Sequence, residues 1–407
     1  MYKKHFNLEN LILIFFLFIY ILSVGLDPIL GDSLAFTVVA TNGFDLATNA
    51  TNHFLYMNFL AVLHKIVPFI NSHNLFVAVS VICSTLTLFY LRKLLTLFDI
   101  DKRNINIAIV LFGFSFTFWR ISVITEVYSF YILFVTIFLF HIFSFVKDQR
   151  KANLYWASVL FGVLFLIHIQ TILLVPFYLF FLYQKLRNQP RAFIAGILIP
   201  SFIFIILLIP VFQAKHSFMA IFTDGAWGSS FFDLQFKIFL KSLGRNFLFL
   251  VYNFLFFLYF IHKGIKNIEH KKYFIIAVLP YIFFILKHDV SDSYVFHLVP
   301  YLFLVIIIAK GLSDFKLTKS KITLLISIPV IYFFSYKIIG YSSYGKQMND
   351  EIGFKGGTRY FFFPPLRGNP GLESFIRAYE QNQLKDKDVF TAQYEYAKEW
   401  VQNKKAN

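Results

Sequence analysis

Asp32, in the run Gly31-Asp32-Ser33, combines a residue type and a position that suit acid-base chemistry. It lies a few residues past an apolar stretch, and one carboxylate within hydrogen-bond reach of an alcohol can take its proton as the oxygen attacks. An ordinary solvated loop charge would sit in the same place. Glu126 closes the segment from Trp119 and Arg120 to Thr125, with Val127 and Tyr128 following. Carboxylates at membrane depth are costly and are paired or functional. Arg120 is the natural partner, in a structural ion pair or at a substrate, and Tyr128 lies beside them. His168 and Gln170 occupy a short turn between two apolar stretches, where they could bind a substrate hydroxyl or cap helix ends. The densest polar cluster is Lys287, His288, Asp289, Asp292, Tyr294 and His297, suited to holding a donor phosphate or an acceptor. A phosphate leaving group needs cations or amide donors for its developing charge. Arg245 is well placed for this, with Lys215, Lys287 and Arg120 in reserve, although an interfacial arginine that snorkels to water would look the same. Trp227, in the run 223–228, offers an aromatic face or an interfacial anchor. Adding His53 and His64 to the histidines above gives no zinc spacing, so no metal and no cofactor are expected.

The elements that must position these groups are membrane helices. Of the 407 residues, 58% are hydrophobic and 15% charged, and the mean hydropathy is +0.65. A soluble protein of this length needs more polar surface. Hydropathy and flanking charge predict about eleven spans, at residues 11–26, 75–91, 105–118, 124–145, 156–166, 171–183, 193–212, 247–260, 274–286, 295–308 and 322–338, with an interfacial segment at 54–67. The third and fourth should turn at Trp119 and Arg120, the fifth and sixth at His168. The first follows a short basic region with no small-residue cleavage site and reads as a retained anchor. Lysine and arginine clusters at residues 3–4, 92–103, 147–151, 185–191, 263–272 and 310–321 mark one side, and positive loops stay inside. The N-terminus is therefore expected in the cytoplasm. Asp27, Asp32, Asp45, Glu126, Asp224, Asp233, Asp289 and Asp292 collect at the other ends of the spans. The net charge of +16 sits largely in the inner loops, so it follows from topology and implies no nucleic acid. The single cysteine, Cys83, lies within an apolar span and can build neither a disulfide framework nor a cysteine metal site.

Two regions are expected: a polytopic domain over 1–338, with outer loops at 27–52 and 213–245, and a polar helical tail outside the membrane over 339–407. In the tail, Phe375, Ile376, Tyr379, Tyr394, Ala397 and Trp400 follow helical spacing. Some thirty such residues could form a helical hairpin but hardly an independent domain.

Trp119…Thr125-Glu126-Val127-Tyr128 resembles the Phe-Trp…Glu-Val-Tyr signature of the bacterial domain of unknown function 2723 proteins. These are relatives of transmembrane protein 260 and the protein O-mannosyltransferases, within the GT-C glycosyltransferases. Three further stretches fit in the same order: Gly31-Asp32-Ser33, Gly162…His168-Ile169-Gln170-Thr171, and Asp289-Val290-Ser291-Asp292…Phe296…Pro300. The resemblance spans most of residues 10–312. It implies an all-α, GT-C-like integral membrane transferase that uses a polyprenyl-phosphate sugar on the outer face, with the catalytic acid in the first outer loop, here Asp32. Two places depart from the pattern. Ala35 stands where a second carboxylate is usual, and a His-Pro-Pro-Gly-Tyr-Pro run is replaced at about 49–54. Without a second carboxylate on that loop, a single inverting displacement is favoured over a covalent intermediate.

Expected partners are the lipid-linked donor, membrane lipids, and a protein, lipid or glycan acceptor. The composition suggests an AT-rich bacterial genome, which would place the protein in the inner membrane with its site and C-terminus outside the cytoplasm. A transporter is the main rival, but transporters put charges near mid-membrane, and these span middles carry almost none. An inactive scaffold for envelope assembly is the other.

Overall fold

The computed structural model describes residues 8–46, 50–214, 236–287, 293–315, 325 and 327–406, and every element in them is helical. The chain begins with α1 (Leu8–Ser23), α2 (Asp32–Asn42), α3 (Ala50–Ile66) and α4 (Ser72–Thr96), then α5 (Lys102–Phe114), α6 (Phe116–Ser122), α7 (Val127–Asp148) and α8 (Lys151–Ile167). After a 3-10 turn come α9 (Val175–Leu186), α10 (Pro190–Phe204) and α11 (Leu208–Ala214). At about 1.5 Å per residue, the 22 residues of α7 reach about 33 Å, enough for a hydrocarbon core of about 30 Å. Among the described residues, six helical stretches are long and apolar enough to cross a membrane: Ser72–Thr96, Val127–Asp148, Ile169–Leu186, Pro190–Leu207, Phe239–Asn267 and Ser293–Gly311. The bent pair α5–α6 makes a seventh if counted as one span. The expected spans at 11–26, 156–166, 274–286 and 322–338 fall on Leu8–Ser23, Lys151–Ile167, Lys271–Lys287 and Ser327–Tyr341, helices of only 15 to 17 residues.

One expected turn is corrected. Trp119 and Arg120 lie inside α6 and are buried, and the chain bends by 65° at Ser115. A break here would orphan backbone amides where water is scarce. Asn253 answers it, its side-chain oxygen accepting from the Thr117 amide at 2.8 Å. Packing elsewhere is close enough to need glycine. A Cβ on Gly264 would lie 1.9 Å from the Ile307 carbonyl oxygen, and one on Gly311 2.1 Å from that of Phe260. The helices Ile261–Asn267 and Leu298–Gly311 thus approach backbone to backbone, as small residues allow in membrane bundles.

The bundle has two chemically distinct ends. At one, Lys147 donates to Asp99 at 2.9 Å, Lys310 donates to the Phe98 carbonyl at 2.9 Å, and Arg92 lies 3.7 Å from Glu9. The Lys147 hydrogen bond holds the Asp99 carboxyl below its usual range. Glu9, Asp99 and Asp148 therefore accompany the basic loops, and the expected segregation of acids to the opposite ends is incomplete. Local ion pairing explains the exception.

At the other end, the C-terminal segment folds back onto the bundle. The helices Gly371–Glu380 and Thr391–Ala406 share a small core of Leu372, Phe375, Tyr379, Tyr394 and Ala397 with Leu30, Leu34 and Val38 from around α2. Too small to close its own core, the tail completes it with the first loop of the membrane body.

Candidate active site

Four of the residues singled out by sequence line one cavity of about 80 Å³: Asp32, Glu126, Tyr128 and Tyr294. Ser33, Lys355, Tyr360 and Phe361 complete its polar and aromatic wall. A larger groove of about 320 Å³ lies at Leu243, Asn246, His297 and Tyr301. Its wall is mostly apolar, and its polar side chains are engaged within the protein, His297 Nε2 with Asn246 Oδ1 at 2.8 Å and the Tyr301 hydroxyl with Asn253 at 3.5 Å. Proton-transfer chemistry therefore suits the smaller cavity.

Each wall residue is set by a local feature of the chain. Gly31 has φ 121° and ψ −152°, a backbone state open essentially to glycine. It turns the chain so that Asp32 is the first residue of α2, where the helix dipole favours its negative charge. The aspartate is exposed at the cavity, while Leu34 and Val38 on the same helix are buried against the tail. Glu126 is the extended N-cap of α7 and only 7% exposed. Tyr128, the second residue of α7, brings its hydroxyl toward the hairpin turn at His168.

His168 and Gln170 stand behind the wall. The Gln170 amide donates to His168 Nδ1 at 3.0 Å, so the neutral ring carries its proton on Nε2 and donates to the Tyr128 hydroxyl at 3.2 Å. The hydroxyl proton of Tyr128 is thereby directed away from His168. His53, at a kink in α3, packs edge-on against the same imidazole with ring centroids 4.9 Å apart.

Other expected residues lie elsewhere. Arg120 is fully buried and donates through Nη2 to the carbonyls of Arg359, Tyr360 and Phe363, at 3.3 Å to Arg359 and 2.7 Å to Phe363. It also faces the Tyr360 ring at 4.8 Å. It thus caps the C-terminal carbonyls of the helix Gly357–Phe362 and fastens the tail to α6. Arg245 neighbours Asn246 on the helix Phe236–Phe254 and, with His297, belongs to the larger groove's side of the bundle. Asp289 and Asp292, with Lys215 and Trp227, lie outside the described residues. Sequence reasoning misses Lys355 and Tyr360. The signal was local, a lysine just before Gly356-Gly357 and a tyrosine three residues after it, but no sequence pattern ties residue 355 to residue 32.

Comparison with known proteins agrees with this architecture. Residues 53–191 match the sequence profile of the protein O-mannosyl-transferase TMEM260 N-terminal domain. None of the curated protein sequences matches the chain. Among solved structures, ArnT from Cupriavidus metallidurans bound to undecaprenyl phosphate superposes with a TM-score of 0.59 at 13% identity, covering 96% of this chain and 74% of that one. The Archaeoglobus fulgidus oligosaccharyltransferase matches in its complex with Zn and sulfate, with a TM-score of 0.50 at 12% identity over 94% of this chain and 56% of that one. Tethered to an acceptor peptide, it gives a TM-score of 0.52 at 12% identity over 96% and 59%. The chain spans little more than half the length of that oligosaccharyltransferase. The resemblance drawn from sequence therefore stands: the fold is that of the GT-C membrane glycosyltransferases.

Proposed function

We propose that this protein is a membrane glycosyltransferase that moves a sugar from a polyprenyl phosphate to an acceptor hydroxyl. The observation that carries the reading is the convergence of Asp32, Glu126, Tyr128 and Tyr294 on one polar cavity in a GT-C fold. Asp32 is the base, exposed enough to meet an incoming alcohol and close enough to the wall to act on a bound sugar. Glu126, Tyr128 and Tyr294 bind the sugar or the acceptor, and His168 with Gln170 fixes Tyr128. Ala35 leaves α2 without a second carboxylate, which favours a single inverting displacement. The neighbour bound to undecaprenyl phosphate supports a lipid-linked donor, and the one tethered to an acceptor peptide makes a protein acceptor the first to try. In this reading the eleven expected spans place the N-terminus in the cytoplasm, with the cavity and tail outside, in a bacterial inner membrane.

The test is transfer of radiolabelled sugar from a panel of polyprenyl-phosphate sugars by purified protein, with membrane extract as the acceptor source. Wild type should transfer and folded Asp32→Asn should not. No transfer from any donor by folded wild type would sink the reading.

A further inference from the structure

We infer that Lys355 and Ser33 form the seat for the phosphate monoester that departs in this reaction, so that the tail supplies part of the donor site. The inference rests on the transferase reading above, and names the groups that would hold the leaving group there.

Ser33 is 95% buried, being 5% exposed, and lines the cavity. Its Oγ has no hydrogen-bond partner among the described residues. A buried hydroxyl without a partner costs free energy that a bound acceptor oxygen would recover. It projects from the first turn of α2, an eleven-residue helix with no side-chain cap at its N-terminus, where amide donors and the dipole favour an anion. Lys355 faces the same space from the tail. No ion pair engages it among the described residues. Its backbone is held in a tight turn, with its own amide on the Ile352 carbonyl at 3.0 Å and that of Gly356 on Gly353 at 2.8 Å. Arg120 anchors the helix that follows. The backbone that carries Lys355 is thus held against the bundle, even though it arrives from the end of the chain.

In the transfer, the acceptor oxygen forms a bond to the sugar's anomeric carbon and its proton passes to Asp32. The bond from that carbon to the phosphate oxygen breaks, and its electron pair stays on the phosphate. A monoester then gains charge beside Lys355 and the Ser33 hydroxyl, which oppose the repulsion from Asp32 and Glu126.

Binding of undecaprenyl phosphate to purified full-length protein, measured by native mass spectrometry, tests this without requiring turnover. Lys355→Met and Ser33→Ala should each weaken binding, Lys355→Met by roughly tenfold, while Lys355→Arg stays close to wild type and reports correct folding. Asp32→Asn should bind at least as tightly as wild type yet transfer nothing. Inorganic phosphate should compete only at much higher concentration, and equal potency would overturn the assignment to a lipid headgroup. Wild-type affinity in both Lys355→Met and Ser33→Ala would overturn the seat while leaving the transferase intact. Lipid binding that depends on Lys355 in a protein that transfers no sugar would instead support the seat and defeat the transferase.

Discussion

Trp400 donates its indole N–H to Asp27 at 2.9 Å, across 373 residues of chain. Lys404 binds the same carboxylate at 2.8 Å. The Trp400 ring stands edge-on to His73, whose Nε2 bonds the Gly25 carbonyl at 3.0 Å. The last helix therefore clasps the loop that leads into Asp32. Because α2 shares its apolar face with the tail, the position of the proposed base depends on a segment that sequence separates from it almost completely.

Trp400→Phe keeps an aromatic ring but removes the N–H together with the fused five-membered ring, so the tail should lose at least about 1 kcal/mol of docking. Trypsin cleavage near Lys385 and Lys387 should then accelerate by roughly fivefold, with a small fall in melting temperature. Sugar transfer should fall with it. Faster cleavage with unchanged transfer would make the tail a passenger.

Arg120 is a stronger anchor, because a fully buried cation that satisfies carbonyls on a second segment leaves them orphaned when it goes. Arg120→Leu should cost about 3 kcal/mol of tail docking and abolish transfer. Arg120→Lys keeps the charge but cannot reproduce the planar fork, and should fall between. Hydrogen exchange across residues 353–370 reads the outcome directly: protection as in wild type in the leucine variant would refute the anchoring role.

Asp32, Glu126, Tyr128 and Tyr294 could be read from the chain because each sits at the end of an apolar run, where a polar residue stands out. The long spans were legible for the same reason, since an uninterrupted apolar stretch as in Val127–Asp148 has few alternatives to a helix. Arg120 misled because its charge next to Glu126 suggested a local pair, whereas its acceptors are carbonyls about 240 residues downstream. Carbonyls leave no sequence signature. Lys355 was hidden in the same way, since a lysine in a polar tail looks solvated until the fold carries the tail over the cavity.

Gly31 offers a test of positioning alone. A Cβ there would meet nothing within 4 Å, so Gly31→Ala adds no clash and changes only the backbone preference at φ 121°. The strain should cost about 1 to 3 kcal/mol, relieved most easily by turning Asp32 away from the cavity. The expected result is a kcat for transfer reduced tenfold or more with KM for the donor little changed. A variant with wild-type kcat and melting temperature would show that α2 tolerates another entry.

The orientation in the membrane can be checked with cysteines at the two ends, since the one native cysteine, Cys83, is buried. Tyr344 is 60% exposed in the segment that precedes the tail helices. Lys102, whose side chain is 87% exposed, lies at the end where the basic loops pair with Glu9 and Asp99. Positive loops are retained in the cytoplasm, so a membrane-impermeant maleimide applied to intact cells, with outer-membrane passage assured, should label Tyr344→Cys and spare Lys102→Cys. Permeabilised cells should label both. Labelling of the lysine position alone in intact cells would invert the proposed topology and put the Asp32 cavity on the cytoplasmic side, where a donor presented at the outer face could not reach it.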